Sequence, residues 1–451
     1  MHLRKDMNNN YLNISFAQNI NTEQHISGRK DKIRFSIAFI LIYLIIAMHY
    51  FTLPTIHIYS EADIYIELVL FILLLIASCL TFLVYQYPFP KHLLIVLMIP
   101  SIALFYVFYG IIISKNNTFR AFYEYQTYLF FLSALFPIIF INRIQEARFI
   151  LKGLLLSTII YALFVFIQFP LLPYNITFIP GKFTESFMGE NLNRFFPAAQ
   201  VAIHLIFFYF YREVLRRPNI HNIVLFTLFT ATEIMSLSRH LWASMFVGVI
   251  AITLIERKEI LKKLPIMMLF ILLGTFSIAI YFSNTSFGQS VLKRMSMISI
   301  SAAKTDSSLM WRATEYKYAK KAISSQPVLG HGLGYAYHNI NQFPNSEYYI
   351  HNAYLYYWMK MGLAGIIAFL TYLFYLLRLS FHVYRTYIND NIISGFAIAI
   401  FAFILGYIPS LVFSPAFSTG YILVQLVSVL LGILIKLKML DNESKSLKPH
   451  D

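Results

Sequence analysis

Charge is what this sequence has least of. Only 13% of its 451 residues are Asp, Glu, Lys or Arg, against 58% hydrophobic and 17% aromatic. A soluble chain that apolar could not cover its surface with polar groups, so the length is not read as two or three soluble domains. Cysteine is nearly absent. Cys79 stands alone inside an apolar run, which excludes an internal disulfide and a paired-cysteine zinc site, and it reads as a small lipid-facing or packing residue. There is no Walker loop and no glycine-rich dinucleotide turn after a strand. Gly330-His331-Gly332-Leu333-Gly334 lacks the lysine that a phosphate loop needs, so it carries no nucleotide role. Residues 1–33 are polar and lack the apolar stretch of a cleaved signal peptide, so the first apolar run, from Arg34, reads as a retained span. No repeat of fixed period and no low-complexity linker divides the chain.

What is present is a series of apolar runs of roughly twenty residues, the length that crosses a bilayer core as helix. Helix is required because lipid offers no partner for an open backbone. The reading is an all-α integral membrane protein with about twelve spans, at 34–53, 64–86, 92–113, 122–141, 149–169, 195–211, 220–237, 241–255, 264–282, 352–377, 392–412 and 417–435. This divides the chain into a cytoplasmic tail (1–33), spans one to nine (34–282), a large extracytoplasmic loop (283–350), spans ten to twelve (351–436) and a second cytoplasmic tail (437–451).

The formal charge of +15 could suggest nucleic acid. In a chain of this composition the simpler account is Lys and Arg holding cytoplasmic loops in place. With the N-terminus inside, 23 of the 36 basic residues fall in inner segments and 13 outside. The pattern predicts both termini in the cytoplasm. Two outer segments are then long: residues 170–194 and residues 283–350. The second is too long for a simple connection. Within it "SSLMWRATEYKYAKKAISSQ" predicts an amphipathic helix, with Leu309, Ala313, Tyr316, Ala319 and Ile323 on one face and Lys317, Lys320 and Lys321 towards the other. A helix on the outer membrane surface fits this pattern. Pro327 ends it, and Gly330, Gly332 and Gly334 form a turn region.

The outer carboxylates Glu185, Glu190, Asp306 and Glu347 are scattered, with no clustering of a metal cage. The outer cations are better placed. Arg239 sits in "SLSRHLWA", a sharp connection between two spans. Arg194 lies where the outer segment re-enters the membrane. Arg312 begins the loop helix beside Trp311, and His351 opens "HNAYLYYWMKMGLAG" at the mouth of the tenth span. An arginine near the hydrocarbon boundary costs free energy unless it snorkels or meets a partner. Several converging arginines suit an anion such as a pyrophosphate, gripped by forked hydrogen bonds. Each residue also has a plainer reading. Arg239 and Arg194 could anchor on headgroups, and Arg239 could pair with Glu233. Arg312 could be a solvated helix face, and His351 an interfacial helix cap. Tyr354, Tyr356, Tyr357 and Trp358 suggest an aromatic belt, with sugar stacking as the alternative. His331 and Lys360 read as structural.

Taken together, "SLSRHLWA", "WRATEYKYAKKAISSQPVLGHGLG" and "HNAYLYYWMKMGLAG", in this order around one large outer loop, resemble the O-antigen polymerase and O-antigen ligase family of bacterial membrane glycosyltransferases. The resemblance is carried by residues 236–365: a Ser-Arg element, a loop helix followed by Pro-x-x-Gly-x-Gly-x-Gly, and a His-Asn-x-x-Leu element with Gly362 beyond it. It implies a GT-C-like architecture and an undecaprenyl-pyrophosphate oligosaccharide donor. The acceptor would be a sugar hydroxyl, on a second lipid-linked glycan for a polymerase or on a lipid A core for a ligase. By resemblance Arg239 and Arg312 hold the pyrophosphate, Arg194 assists, Trp311 and Asn352 contact substrate, and His351 positions or deprotonates the acceptor hydroxyl. No nucleotide sugar, cofactor or metal is then required. The bilayer and a chain-length regulator are the implied further partners, and nucleic acid is not one.

Both branches share these elements; repeat-unit polymerase is the preferred one, by analogy alone. A non-enzymatic flippase or transporter of lipid-linked sugars is the rival of a different class. It would be expected to carry charge in mid-span and to keep its loops short, against nearly bare span centres and a 68-residue outer loop here.

Overall fold

A computed structural model describes residues 92–174, 181–187, 190–197, 199–257, 307–337, 350–419 and 421–446, together with Val291 and Tyr348. The expected spans at 34–53, 64–86 and 264–282, and Cys79, lie outside the described residues. Wherever a span was expected within them, the chain is mostly helical. In order, the elements are α1 (Leu93–Phe108), α2 (Thr118–Leu129), α3 (Leu135–Phe140), α4 (Ile144–Gln168), strands β1 (Gly181–Phe187) and β2 (Glu190–Pro197), α5 (Gln200–Arg216), α6 (Ile220–Met235) and α7 (Arg239–Ile255). After residues outside the description come α8 (Ser307–Ser325), α9 (Ala353–Thr386), α10 (Asn391–Ser410), the short α11 (Ala416–Thr419) and α12 (Tyr421–Ser446). Among the described residues, five stretches are long and apolar enough to cross a membrane: Leu93–Ile113, Ile144–Leu171, Ala353–Thr386, Asn391–Ser410 and Ile422–Ser446.

Three details differ from expectation. Beside the helices, the short strands Gly181–Phe187 and Glu190–Pro197 pair antiparallel, with Gly181 opposite Pro197 and Phe187 opposite Glu190. That hairpin delays the start of α5 to Gln200. The run at 122–141 is not one straight helix; a 3-10 stretch at Phe130–Ala134 separates α2 from α3. There α12 comes so close that a Cβ on Gly432 would stand 2.2 Å from the Ala134 carbonyl oxygen. Of the four aromatics after His351, Tyr354 and Trp358 are half-buried, and the other two are withdrawn from any lipid-facing belt. Tyr356 and Tyr357 are fully buried, and Tyr357 stacks on Phe369 at 4.2 Å.

The core runs along α10, which packs with α5, α7 and α9, and continues where α12 meets the Phe130–Ala134 stretch, α3 and α9. Buried charge collects near helix ends. At the end assigned to the cytoplasm, Arg212 is wholly buried, reaching Glu256 at 3.4 Å and the Ser394 hydroxyl at 2.8 Å, while Arg216 donates to the same Glu256 at 3.0 Å. Arg212 is therefore an interior ion-pair partner rather than a headgroup anchor. At the other end Lys360 is buried against Glu124 at 2.9 Å.

Gly362 breaks α9 with φ 56° and ψ −153°, a conformation closed to residues with a Cβ. The break frees the Met359 and Lys360 carbonyls, and the amides of His331 and Gly332 take them at 2.9 Å each. In return Leu363 donates its N–H to the Val328 carbonyl at 3.0 Å. The glycine turn is thus a clip that locks the loop helix onto α9. Its other side meets the π-helical end of α1, where a Cβ on Gly332 would stand 2.3 Å from the Gly110 Cα. His331 and Lys360 sit inside this clip: His331 stacks on Tyr335 at 4.0 Å, and Lys360 also donates to the Tyr335 carbonyl at 2.6 Å. Beyond the break, Leu363–Thr386 is about 36 Å long at 1.5 Å per residue, enough for the hydrocarbon core.

Candidate functional site

The residues that carry the resemblance are far apart in sequence, and the end of α10 brings them together. The Ser410 hydroxyl donates to the His240 carbonyl at 2.7 Å, which ties down the turn that bears Arg239. The Leu411 carbonyl accepts from Ala353 N–H at 3.0 Å, fixing the start of α9. The Tyr316 hydroxyl of α8 reaches the Val412 carbonyl and also the His351 carbonyl, the latter at 3.1 Å. Arg239, α8 and His351 therefore stand around one platform, residues 410–412.

Each side chain is held by its local sequence. Arg239 is the first residue of α7 and half-buried. The turn before it is tight enough to force Leu237 to φ 47°, a left-handed conformation that a branched side chain resists. Ser238 accompanies it by pairing with His240 Nδ1 at 2.8 Å. The pairing with Glu233 considered for Arg239 is displaced: the Glu233 carboxylate turns inward, buried, and faces His204 Nδ1 at 3.3 Å, while His204 Nε2 meets the Ser244 hydroxyl at 2.9 Å. Arg312 lies half-buried on α8 near Tyr316. Burial raises the Tyr316 hydroxyl above the usual phenol range, and the Arg312 charge pulls it back down.

His351 precedes the cap of α9. Its Nδ1 stands 3.0 and 3.1 Å from the two carboxylate oxygens of Glu315, and its backbone N–H donates to the same carboxylate at 3.1 Å. The His351 side chain is 31% exposed and that of Glu315 only 1%. Trp311 points its indole N–H at Glu315 at 2.9 Å. Asn352 is buried and caps α9, accepting from Leu355 N–H at 2.9 Å. Arg194 lies in β2 opposite Thr184, on the strand that packs against α6. The structure thus brings Arg239, Trp311, Arg312, His351 and Asn352 to one end of the bundle and leaves Arg194 on the neighbouring hairpin.

Reading the sequence did not single out Glu315 or Arg120. Glu315 is the sole carboxylate of α8, yet Lys317, Lys320 and Lys321 follow it closely and it looks solvated. In the folded chain the buried stripe of α8 is Glu315, Ala319, Ala322 and Ile323, whereas Ala313, assigned to the apolar face, is exposed. Arg120 lies 4.5 Å above the ring of Tyr348, three residues before His351.

What this arrangement can do is grip an anion with half-buried arginines beside a histidine whose ring is held by a carboxylate. Residues 220–370, which hold the Arg239 turn, α8, the glycine clip and His351, match the family model described as O-antigen ligase. No curated protein matches the chain. Over residues 220–370, about a third of its length, the chain is thus similar to the O-antigen ligase family of membrane glycan-transfer proteins.

Proposed function

We propose that this protein transfers an oligosaccharide from an undecaprenyl-pyrophosphate donor to a sugar hydroxyl at the outer face of the cytoplasmic membrane, as a repeat-unit polymerase. The observation that carries this reading is the meeting of the Arg239 turn, the Arg312 helix and His351 on residues 410–412. Arg239 and Arg312 hold the diphosphate, with Arg194 assisting. The leaving diphosphate gains negative charge as the anomeric bond breaks, so fixed cations there favour the transition state over the ground state. His351 takes the proton of the acceptor hydroxyl as its oxygen bonds to the anomeric carbon. Direct displacement inverts that carbon.

The donor carries its own leaving group, so the reaction is expected to run without a metal. Purified protein given an undecaprenyl-pyrophosphate oligosaccharide should lengthen the glycan at the same rate with or without a strong chelator. Turnover lost in chelator and restored by magnesium or manganese overturns that part. The description of the matched family favours a second reading, a ligase whose acceptor is a lipid A core. Adding a core oligosaccharide to the same assay decides between the two by which product forms. Movement of donor across the bilayer with no transfer to either acceptor removes both in favour of a transporter.

The reading also needs α8 outside and both termini inside. With Cys79 replaced by serine, Lys304→Cys should react with an impermeant thiol reagent in intact cells, and Lys445→Cys only after lysis. The opposite pattern inverts the topology and places the site on the wrong side for a surface glycan.

A further inference from the structure

Glu315 has no part in the roles above, yet three groups converge on its carboxylate. It is almost wholly buried and is the one acid in a helix that carries three lysines and an arginine. Its oxygens receive the Trp311 indole N–H at 2.9 Å from one turn back, the backbone N–H of His351 at 3.1 Å and the His351 ring at 3.0 Å. Two fixed N–H donors, of the Trp311 indole and the His351 backbone, thus already use its oxygens as acceptors. An ionised carboxylate offers acceptors only, so the contact puts the ring proton of His351 on Nδ1. In the neutral imidazole Nε2 then carries the lone pair.

We propose that Glu315 is a positioning residue for His351, setting its tautomer and ring orientation and stabilising the imidazolium that forms when the acceptor hydroxyl is deprotonated. This rests on the reading of His351 as the base. The step balances. The acceptor O–H proton passes to Nε2 and the acceptor oxygen bonds to the anomeric carbon. The anomeric C–O bond to the diphosphate breaks with its electron pair leaving on that oxygen, and the imidazolium afterwards returns its proton to water. Glu315 stays ionised throughout, as the acid of a Ser-His-Asp triad does. The Trp311 bond fixes the carboxylate rotamer, and the bond to the His351 backbone fixes the distance between α8 and the mouth of α9. One carboxylate therefore aligns the loop helix and the base together.

Glu315→Gln keeps the size and still accepts from Trp311, but its amide N–H₂ turned to the ring favours the other tautomer. Donor-lipid affinity is expected to stay within about twofold of wild type. Single-turnover transfer from bound undecaprenyl-pyrophosphate oligosaccharide should fall about 10²–10⁴-fold, the worth of a positioned base. The double variant Glu315→Gln/His351→Ala should be no slower than His351→Ala alone, since the two residues act as a unit. A merely structural Glu315 would instead add its loss to that of His351→Ala. A measurement on wild-type protein needs neither donor nor variant: nitrogen-15 spectra of labelled histidine should place the neutral-ring proton of His351 on Nδ1. A proton on Nε2, or near-normal turnover in Glu315→Gln beside an inactive His351→Ala, overturns the proposal while leaving His351 as the base. Normal turnover in His351→Ala alone removes the base assignment and this proposal with it.

Discussion

Changing His351 to alanine is expected to cut transfer from bound donor by about 10²–10⁴-fold while donor affinity stays nearly intact. The histidine stands at the mouth of α9, 31% exposed, with its ring held from the side by Glu315. In the proposed reaction it acts on the acceptor. The arginines should fail differently. A hydrogen bond to a charged group is worth about 1.5–3 kcal/mol, so Arg239→Ala or Arg312→Ala should weaken donor binding by at least about tenfold as well as slow turnover. Lysine at either position should rescue only in part, because an ammonium keeps the charge and loses the fork. The measurement is donor-lipid affinity beside single-turnover transfer for each variant. If His351→Ala loses affinity as badly as Arg239→Ala and keeps a normal rate on bound donor, the division of roles is wrong. The fold should survive all three changes, since each of these side chains is only half-buried.

Gly362→Ala is expected to do the reverse, damaging the fold before the chemistry. An added Cβ would stand 2.1 Å from the Val328 carbonyl oxygen and 2.6 Å from the Leu329 carbonyl carbon, both of them backbone atoms that no side-chain rotation can clear. The conformation itself, φ 56° with ψ −153°, adds strain of about 1–3 kcal/mol for any residue but glycine. Moving Val328 away opens its bond to Leu363 and pulls the His331 and Gly332 amides from the carbonyls of Met359 and Lys360. Each then leaves a buried backbone group unpaired, at a further cost of about 1–3 kcal/mol. The sum is large beside the stability of most domains, about 5–15 kcal/mol. Melting of the purified variant in detergent should show either a greatly lowered transition or no folded protein. An unchanged transition would mean that the clip between the glycine turn and α9 does not bear on stability.

The helices were legible because lipid makes secondary structure a local matter. A run of twenty apolar residues has to satisfy its own backbone, and Leu93–Ile113 and Asn391–Ser410 do so close to where hydropathy places them. The hairpin at 181–197 was not legible: its strands are short, and one stands where the apolar run of α5 already appears to begin. The stripe of α8 was read off by about one residue, because an amphipathic pattern marks the polar side and gives no weight to a single carboxylate that the fold chooses to bury.

Composition and spacing by themselves determined a membrane protein of many helices and a loop helix ended by Pro327, and the motifs around Arg239, Arg312 and His351 carried the resemblance to O-antigen ligases that the match over residues 220–370 repeats. Tertiary structure decided what those residues touch. Glu315 and His351 are 36 positions apart, and Glu124 and Lys360 are 236 apart. No periodicity along one helix encodes such a meeting. A buried charge is stable only beside its partner, and that partner arrives on a different helix, so the physics that makes Glu315, Arg212 and Lys360 interior residues exists only once the helices have packed.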